Sequence, residues 1–517
     1  MRCVISLTVS AHAMAADRVV VTLPVDKAGL VENGATSGRM IVFLKSERSP
    51  ERGDPADGPF FRDPQPIMSV AVTGLQPGVA VSFDQSTVAW PSGIDALQGG
   101  FVAQAVFKRS RDEGAIHAAG NLISKPIEIT LSADRDDVVE IELQKAIEPL
   151  NLPKSKTVVE IDEPSPLLTR AIGRVVRHRA AVVLPHGYHD PDFPRRMWPT
   201  IYIIPGFGGR MTIAADTERL LAMPHSETTV PQGVYVVLDP EGPFGHHGFA
   251  DSVVNGPRGA ALVQELIPLI EDRFRVIRQS EARLLTGHSS GGWSSLWLQL
   301  TNPDVFGGCW SSAPDPVDFS AFGQCNLYRD DNLFVDPEGA ERSSYRRPVG
   351  PMERVLMTVG EEIGMEHAID PNGGSGQQWD AWNAMFSMPN SATGMPKRLA
   401  DPESGVINHR VVNETWSAYD ISRLIESRWK TLSPVLANKV HVLVGDRDNF
   451  YLERAVKKFK DKIDLLRSAL AGEAQPHVGT GFIEIIPDAT HDTIAVIARG
   501  RFALGMREHL KRHGFCD

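Results

Sequence analysis

The chain passes from an apolar strand into a helix at Gly287-His288-Ser289-Ser290-Gly291. Residues 283–286 have the pattern of a strand end, and residues 290–300 carry apolar side chains at helical spacing. A serine at such a junction occupies a tight, strained turn that lifts its hydroxyl out of the sheet. Gly287 and Gly291 suit this turn because a side chain at either position would collide with neighbouring backbone. The stretch therefore predicts Ser289 as a nucleophile displayed at the end of a strand.

The sequence around this turn alternates between buried strands and helices. Continuous apolar runs indicate strands that are covered on both faces, as in a parallel sheet. They lie at residues 180–184, 200–204, 234–238, 309–310, 440–444 and 482–486. Helical segments separate them, notably residues 259–274 and 452–469. This order predicts an α/β fold over residues 158–517, with a doubly wound and mostly parallel sheet of the α/β-hydrolase type.

Residues 312–431 break this rhythm and are rich in proline, glycine and asparagine, so we predict a long insertion. Because it leaves the sheet at the carboxyl end of a strand, beside Ser289, we expect it to form the lid or wall of a substrate pocket. Its tryptophans either line that pocket or pack a small core of the insertion, and the sequence leaves both possibilities open. Replacement of Trp379, Trp382 and Trp416 would distinguish them. If the insertion is purely structural, specificity must come from residues 244–257.

Residues 17–150 alternate short apolar runs with clusters of glycine, proline, aspartate and asparagine. This spacing predicts an all-β, sandwich-like N-terminal domain with antiparallel strands. Residues 1–15 combine one positive charge, a short apolar stretch and overlapping A-x-A sites, as in a secretory signal peptide. They predict a secreted or periplasmic protein. If they are instead a buried strand, or if the start codon is assigned a little late, the protein is cytoplasmic.

The composition limits the classes of partner. A net charge of −11 argues against binding to nucleic acid, which needs a basic surface. No apolar run is long enough to predict a membrane span. The histidines at 186, 189, 246 and 247 lack a carboxylate at ligand spacing, so neither a metal site nor a cofactor is predicted. Whether Cys309 and Cys325 pair in an oxidising compartment stays open.

A serine hydroxyl attacks a carbonyl only when a base takes its proton and an acid orients that base. In α/β-hydrolases these partners follow the serine in the order acid, then histidine. The run at 440–444 leads into Gly445-Asp446-Arg447-Asp448, and the run at 482–486 is followed by His491. Both positions lie after strands, at the edge where open parallel sheets place their sites. We predict His491 as the base and Asp448 as the acid, in preference to Asp446, because Gly-x-x-Asp leaves the tight turn before the acid.

Two backbone N–H groups are predicted to stabilise the oxyanion that forms when the serine attacks. One belongs to Ser290, directly after the nucleophile. The other belongs to Phe207 in Pro205-Gly206-Phe207-Gly208-Gly209, where the glycines let the backbone curl towards the site. A plain glycine turn is the alternative for this segment.

Several segments together resemble the esterase D group of α/β-hydrolases, which includes S-formylglutathione hydrolases, feruloyl esterases and enterochelin esterases. These segments are residues 184–188, 198–209, 265–268 and 287–292. The resemblance covers about residues 158–311 and 438–516 and implies the roles given above for the nucleophile, the acid, the base and the oxyanion donors. Two features depart from the group: Pro205 stands where a histidine is usual, and the 312–431 insertion is additional.

Residues and resemblance together predict a serine hydrolase that cleaves carboxylic esters through an acyl-enzyme. Its partner would be a small-molecule or polymer-attached ester. The same residues would also serve a serine peptidase or an acyltransferase of this fold. A catalytically inactive hydrolase homologue that binds carbohydrate is a further alternative, against which the complete set of catalytic residues counts.

Overall fold

The computed structural model describes residues 19–32, 34–84, 87–132, 138–192, 194–222, 230–469 and 479–515. The chain divides into two compact units. Unit 1 comprises Met1–Phe60, Gln65–Arg109 and Gly120–Ile147, and unit 2 comprises Phe61–Pro64, Ser110–Ala119 and Glu148–Asp517. Two short segments from the region predicted as the N-terminal domain, 17–150, therefore belong to unit 2. The predicted signal peptide, residues 1–15, lies outside the described residues.

Unit 1 is built from strands whose apolar side chains form one buried core. Its described strands are hydrogen-bonded into a nine-stranded sheet with the bounds Val19–Thr22, Gly38–Ser46, Ile67–Val72, Val81–Phe83, Val88–Trp90, Gly99–Lys108, Leu122–Ser124, Ile127–Leu131 and Val139–Ala146. Most neighbours are antiparallel, but Val19–Thr22 pairs in parallel with Val139–Ala146. Unit 1 therefore contains a large mixed sheet.

Unit 2 is organised around an eight-stranded sheet in its described residues. The strands follow one another in space as Val158–Pro164, Arg177–Val183, Val234–Leu238, Thr200–Ile204, Arg283–His288, Gly308–Ser312, Val440–Gly445 and Phe482–Ile486. The second strand is antiparallel to both of its neighbours, and every later pair is parallel. Successive side chains in a strand point to opposite faces, so a fully buried strand such as Val234–Leu238 must be covered on both. This is the mostly parallel sheet that the continuous apolar runs predict.

Helices connect the strands of unit 2. Their bounds are Pro166–Ile172, Ala214–Leu221, Arg258–Ala261, Ile267–Arg273, Ser290–Thr301, Val359–Ile369, Gln378–Phe386, His409–Glu414, Ile421–Ser427, Trp429–Lys439, Leu452–Ala469 and His491–Arg512. A π-helical stretch, Leu262–Leu266, joins the third helix to the fourth. Two small ribbons pair Glu241–Gly242 with Gly245–His246 and Asp251–Ser252 with Gly256–Pro257. None of the described helices has the length and apolar character that crossing a bilayer requires.

Short helical turns complete the described elements. One α-helical turn is Gly29–Glu32, and the 3₁₀ turns are Val25–Lys27, Pro55–Asp57, Ile94–Ala96, Met211–Ile213, Ser280–Ala282, Phe319–Ala321 and Trp416–Tyr419.

The segment Ser110–Ala119 is part of unit 2 because a buried carboxylate anchors it there. Glu113, 7% exposed, accepts hydrogen bonds at 3.0 and 3.1 Å from the guanidinium of Arg210. The same guanidinium donates at 2.9 and 3.0 Å to Asp239, and Arg179 also pairs with Glu113. Burial opposes ionisation of Glu113, but the two arginines outweigh it and hold its pKa below the ordinary value. A half-buried arginine between two buried carboxylates thus fixes this segment.

The insertion leaves the sheet after Gly308–Ser312 and returns through the helix Trp429–Lys439. It contains an antiparallel pair of strands, Ser343–Val349 and Met352–Thr358, called here the insertion hairpin. Its helices surround an aromatic core centred on Trp416. The insertion is therefore an ordered structure with its own packing.

Candidate active site

Ser289 lies in a strained turn between the strand Arg283–His288 and the helix Ser290–Thr301. Its φ of 59° and ψ of −127° are rarely adopted by a residue with a side chain. A Cβ on Gly287 would come within 2.1 Å of the Gly291 carbonyl oxygen, and one on Gly291 within 2.0 Å of the Ile204 oxygen. Both glycines are therefore required by close backbone approach, as the sequence predicts.

The loop after strand Val440–Gly445 brings Asp448 against His491. Asp448 Oδ2 lies 2.7 Å from His491 Nδ1, while Asp448 Oδ1 accepts a hydrogen bond at 2.8 Å from the Phe450 N–H. Asp448 is fully buried, whereas Asp446 is exposed and forms no such contact with the histidine. Burial would lower the pKa of His491, but attraction to Asp448 outweighs it and raises that pKa above the ordinary value. The Asp448 carboxylate is therefore placed to orient the His491 ring and to stabilise its protonated form.

Arg346 on the insertion hairpin holds the backbone of this acid loop. Its Nε donates to the Asp448 carbonyl oxygen at 2.8 Å. Its other nitrogens pair with Glu353 at 2.6 Å and with Glu453 at 2.7 Å, and the guanidinium lies 4.1 Å from the ring centre of Tyr451. The arginine thus ties the acid loop to the insertion, through one contact that is largely buried, with Glu453, and one that is partly exposed, with Glu353.

Asn449 extends the same network to the histidine. Its Nδ2 donates to the Arg346 carbonyl oxygen at 2.8 Å, and its Oδ1 accepts from the His491 N–H at 3.1 Å. The Arg346 N–H in turn donates to the Asn449 carbonyl oxygen at 2.9 Å. Four hydrogen bonds therefore join the hairpin, the acid loop and the start of the helix that carries His491.

The glycine-rich segment after strand Thr200–Ile204 lies directly beside Ser289. A Cβ on Gly206 would come within 3.2 Å of the Ser289 Cβ, and the Gly209 N–H closes a turn onto the Gly206 carbonyl at 2.9 Å. His246 supports the segment: its Nδ1 accepts from the Gly248 N–H at 3.1 Å, so its Nε2 carries the proton donated at 2.9 Å to Pro205. Burial lowers the pKa of His246 to about 4, which keeps it neutral in this role.

One cavity of about 470 Å³ is lined by Ser289, His491 and Phe207 together. Much of its remaining wall comes from the insertion, including Trp379 and Trp382. The predicted wall therefore exists, and the 244–257 loop is not among the described lining residues. A single concave site of this size is typical for small-molecule binding.

Trp416 has a different position from the other two tryptophans. It is fully buried, and the ring centres of Phe319 and Phe386 lie 5.9 and 5.1 Å from its own. Its Nε1 donates to Ser387 Oγ at 2.8 Å. Trp416 packs the core of the insertion, whereas Trp379 and Trp382 face the cavity.

Asp315 joins the insertion to the turn at Ser289. Its Oδ2 accepts hydrogen bonds from Ser290 Oγ at 2.7 Å and from Trp382 Nε1 at 3.0 Å, and its N–H donates to the Ser289 carbonyl oxygen at 3.3 Å. Burial raises the pKa of Asp315, and these hydrogen bonds oppose the rise. The carboxyl therefore positions both the residue after Ser289 and a wall of the cavity.

Sequence reasoning missed Arg346, Asn449 and Asp315. Asp315 follows the strand Gly308–Ser312, so its place after a strand end was a usable signal. Asn449 is adjacent to the predicted acid. Arg346 carries no sequence signal, because it lies about a hundred residues before the loop it holds. Cys309 and Cys325 are buried and unpaired, so the bridge that the sequence left open is absent from the described residues.

Comparison with known proteins places the chain in a family. Residues 176–463 match the family described as "Putative esterase", which is more than half of the chain. The chain therefore belongs to this esterase family and is a carboxylic ester hydrolase. No protein of curated function matches it.

Similar solved structures include a ferulic acid esterase, 14% identical, covering 68% of this chain and 98% of its own, with a TM-score of 0.36. An S-formylglutathione hydrolase from Agrobacterium tumefaciens is 16% identical over 70% of this chain and 97% of its own, with a TM-score of 0.35. Fluorophosphonate-binding serine hydrolase F of Staphylococcus aureus is 13% identical over 68% and 98%, also with a TM-score of 0.35. At this level of similarity, neither substrate nor catalytic residues are carried over to this chain.

Proposed function

We propose that Ser289, His491 and Asp448 form a catalytic triad that cleaves carboxylic esters through an acyl-enzyme. His491 Nε2 takes the proton of the Ser289 hydroxyl as its oxygen bonds to the ester carbonyl carbon. The tetrahedral intermediate collapses, the ester C–O bond breaks, and His491 gives its proton to the departing alcohol. Water, deprotonated by the same nitrogen, then releases the acid and restores the serine. Asp448 fixes the tautomer of His491 and stabilises its charged form.

The observation that carries this proposal is the 2.7 Å contact between Asp448 and His491 beside a cavity that Ser289 also lines. The backbone N–H groups of Ser290 and Phe207 are proposed as the oxyanion donors. In favour of this role, Ser290 begins the helix after the nucleophile and the Phe207 segment abuts the Ser289 side chain. Removing one such donor typically costs about 3 kcal/mol of transition-state stabilisation.

Labelling with a fluorophosphonate tests the proposal directly. Wild type is expected to gain one covalent phosphonate on Ser289, found by peptide mass spectrometry, and to hydrolyse 4-nitrophenyl butyrate. Ser289→Ala should lose both, while Ser427→Ala, an exposed serine on another helix, should keep both. Asp448→Asn should reduce turnover by about 10⁴, and Asp446→Asn far less.

Other outcomes would favour the alternatives. Labelling at Ser289 with cleavage of peptides but not esters would indicate a serine peptidase, and dominant transfer to an added alcohol would indicate an acyltransferase. A folded protein that neither labels nor turns over any ester would indicate an inactive binding homologue. Label on another serine would contradict the triad.

We also propose that residues 1–15 direct export, so that the mature protein is secreted or periplasmic. The short apolar stretch with A-x-A sites supports this. Amino-terminal sequencing of the protein from its native host should find a chain that begins after these residues. An intact amino terminus in the cytoplasmic fraction would contradict export.

A further inference from the structure

The cavity beside Ser289 has a charge pattern that ester hydrolysis alone does not use. Three carboxyl groups are among its described lining residues: Asp315, Glu362 and Asp492. Arg342 is the single lysine or arginine among them. The described wall therefore has three carboxyl groups against one guanidinium, besides the imidazoles of His288 and His491.

The charge of Arg342 is already compensated. Its two terminal nitrogens donate to Asp330 Oδ2 at 3.1 and 2.8 Å, and its Nε donates to the Val335 carbonyl oxygen at 3.2 Å. One terminal nitrogen also donates to the Gln324 carbonyl oxygen at 3.1 Å. An arginine held in this way does not offer a free positive charge to an anionic substrate.

The histidine next to the nucleophile adds no positive charge either. Burial lowers the pKa of His288 to about 3, so its ring is neutral at physiological pH. The other lining imidazole, His491, is paired with Asp448. An ester with a carboxylate or phosphate would therefore find no uncompensated cation among the described lining residues, and burying such a charge unpaired is costly.

Glu362 is a buried carboxyl on this wall. It lies on the helix Val359–Ile369, is 7% exposed, and forms no ion pair with a described cation. Burial raises its pKa to about 7, and the nearby Trp379 and Ser344 side chains oppose this only in part. A cation bound next to it would restore the ionised form, because an opposite charge favours ionisation.

Aromatic rings enclose the same cavity. The ring centre of Trp382 lies 5.0 Å from that of Trp379 and 4.8 Å from that of Phe322, in edge-to-face arrangements. Aromatic faces attract cations, most strongly where water is excluded. A cavity lined both by these rings and by a buried carboxyl therefore has the chemical environment that suits an ammonium group, such as a quaternary ammonium ion.

We propose that this cavity selects esters that carry a cationic ammonium group on the part that enters it, held between the aromatic walls and Glu362. The inference rests on the proposed ester hydrolysis at Ser289. It assigns Glu362, on the helix Val359–Ile369 of the insertion, as the residue that determines preference by charge.

The test compares esters that differ only in charge. On the acyl side these are the 4-nitrophenyl esters of 4-(trimethylammonio)butanoic acid, of its neutral isostere 5,5-dimethylhexanoic acid, and of glutaric acid as its half-ester. On the alcohol side they are butyrylcholine and 3,3-dimethylbutyl butyrate. Wild type should prefer the cationic over the neutral ester by at least about tenfold in kcat/KM in one series, from cation–π contacts and the carboxylate together. The anionic half-ester should be the poorest of its series.

Glu362→Gln should reduce the cationic-to-neutral ratio several-fold, to the part that the aromatic contacts alone supply, since the amide keeps the shape but cannot ionise. Glu361→Gln is the matched control on the same helix: its side chain is exposed and caps the helix start, so the ratio should stay at the wild-type value. Competitive inhibition by phenyltrimethylammonium should weaken in Glu362→Gln in parallel. If that variant does not fold, the comparison of wild type across the charge series decides alone.

Neutral esters cleaved at Ser289 with no preference for the cationic ester in either series would overturn this inference and leave the proposed function intact. A preference that persists unchanged in folded Glu362→Gln would overturn the role of Glu362. No ester turnover and no fluorophosphonate label would instead contradict the proposed function.

Discussion

Replacing Arg346 by methionine would test whether the insertion hairpin holds the catalytic loop. Methionine keeps an apolar side chain but removes the guanidinium that lies over the Tyr451 ring, with its charge and all of its donors. The change deletes the 2.8 Å hydrogen bond to the Asp448 carbonyl and the ion pairs to Glu353 and Glu453. The acid loop would keep the hydrogen bonds that Asn449 forms with the backbone of residue 346 and with the His491 N–H. It would lose the guanidinium that anchors it.

The loss of stability depends on the lost hydrogen bond and on how well each glutamate tolerates the loss of its partner. A hydrogen bond from a charged donor contributes about 1.5–3 kcal/mol, and Glu353, 41% exposed, can be solvated again by water. Glu453 is more buried, and burial already raises its pKa to about 7 with the arginine present. Without the arginine it would take up a proton, which limits the cost of an unpaired buried charge. We therefore expect the free energy of unfolding of unit 2 to fall by about 3 kcal/mol.

The effect on catalysis should appear mainly in kcat. A shift of Asp448 by a fraction of an ångström misorients His491, and misplacement of this order costs about tenfold to a hundredfold in rate. Catalysis is measured by hydrolysis of 4-nitrophenyl butyrate. Denaturation is followed by tryptophan fluorescence, which reports on unit 2 because all tryptophans except Trp90 belong to that unit.

Arg347→Met is the matched control for this prediction, because Arg347 is the exposed neighbour on the same hairpin. It should match wild type in both measurements. A folded Arg346→Met variant whose kcat stays within about twofold of this control would refute the reasoning.

The remaining predictions concern pH, the insertion and unit 2. The pKa of His491 is raised above its ordinary 6.5, and the histidine acts as a base only when it is unprotonated. The value of kcat/KM should therefore fall as the pH drops through a midpoint above 6.5. A midpoint at pH 6 or lower would contradict this. Trp416→Ala should lower the free energy of unfolding by about 3–5 kcal/mol, while Trp382→Ala should chiefly change relative rates across an ester panel; equal ester preferences in folded Trp382→Ala would argue against a substrate contact. Glu113→Gln should lower the free energy of unfolding of unit 2 by about 3 kcal/mol, because Arg210 loses one of its two carboxylate partners. The loss should be full above pH about 4.5 and smaller as pH falls, because the native pKa of Glu113 is depressed. Urea unfolding at pH 7 and pH 4 would measure both losses, and equal losses at the two pH values would contradict the sign.

The predicted boundary at residue 158 shows how far a sequence pattern reaches. Composition changes there, and the apolar runs beyond it correctly indicate the strands of the large sheet. Yet Ser110–Ala119 belongs to unit 2, because Glu113 pairs with Arg179 and Arg210. An ion pair between residues so far apart in the chain leaves no periodic signal in the sequence.

The sequence by itself determined the turn at Ser289, the strands on either side of it and the order of the candidate site residues. The first reason is steric and local: a Cβ at position 287 or 291 would lie within about 2 Å of a backbone oxygen, so both positions require glycine. The second is that the residues that follow parallel strands all lie at one edge of the sheet. The choice of Asp448 over Asp446 as the partner of His491 also agrees with the observed contact.

Only the tertiary structure decided which insertion residues reach the site. Trp379 and Trp416 look alike in sequence, but one faces the cavity and the other fills the core of the insertion. Arg346 and Glu362 acquire their places because the insertion folds back over the sheet edge and buries their charges beside the candidate catalytic groups. Burial and pairing of charge depend on contacts between distant segments, and these contacts exist only once the chain has folded.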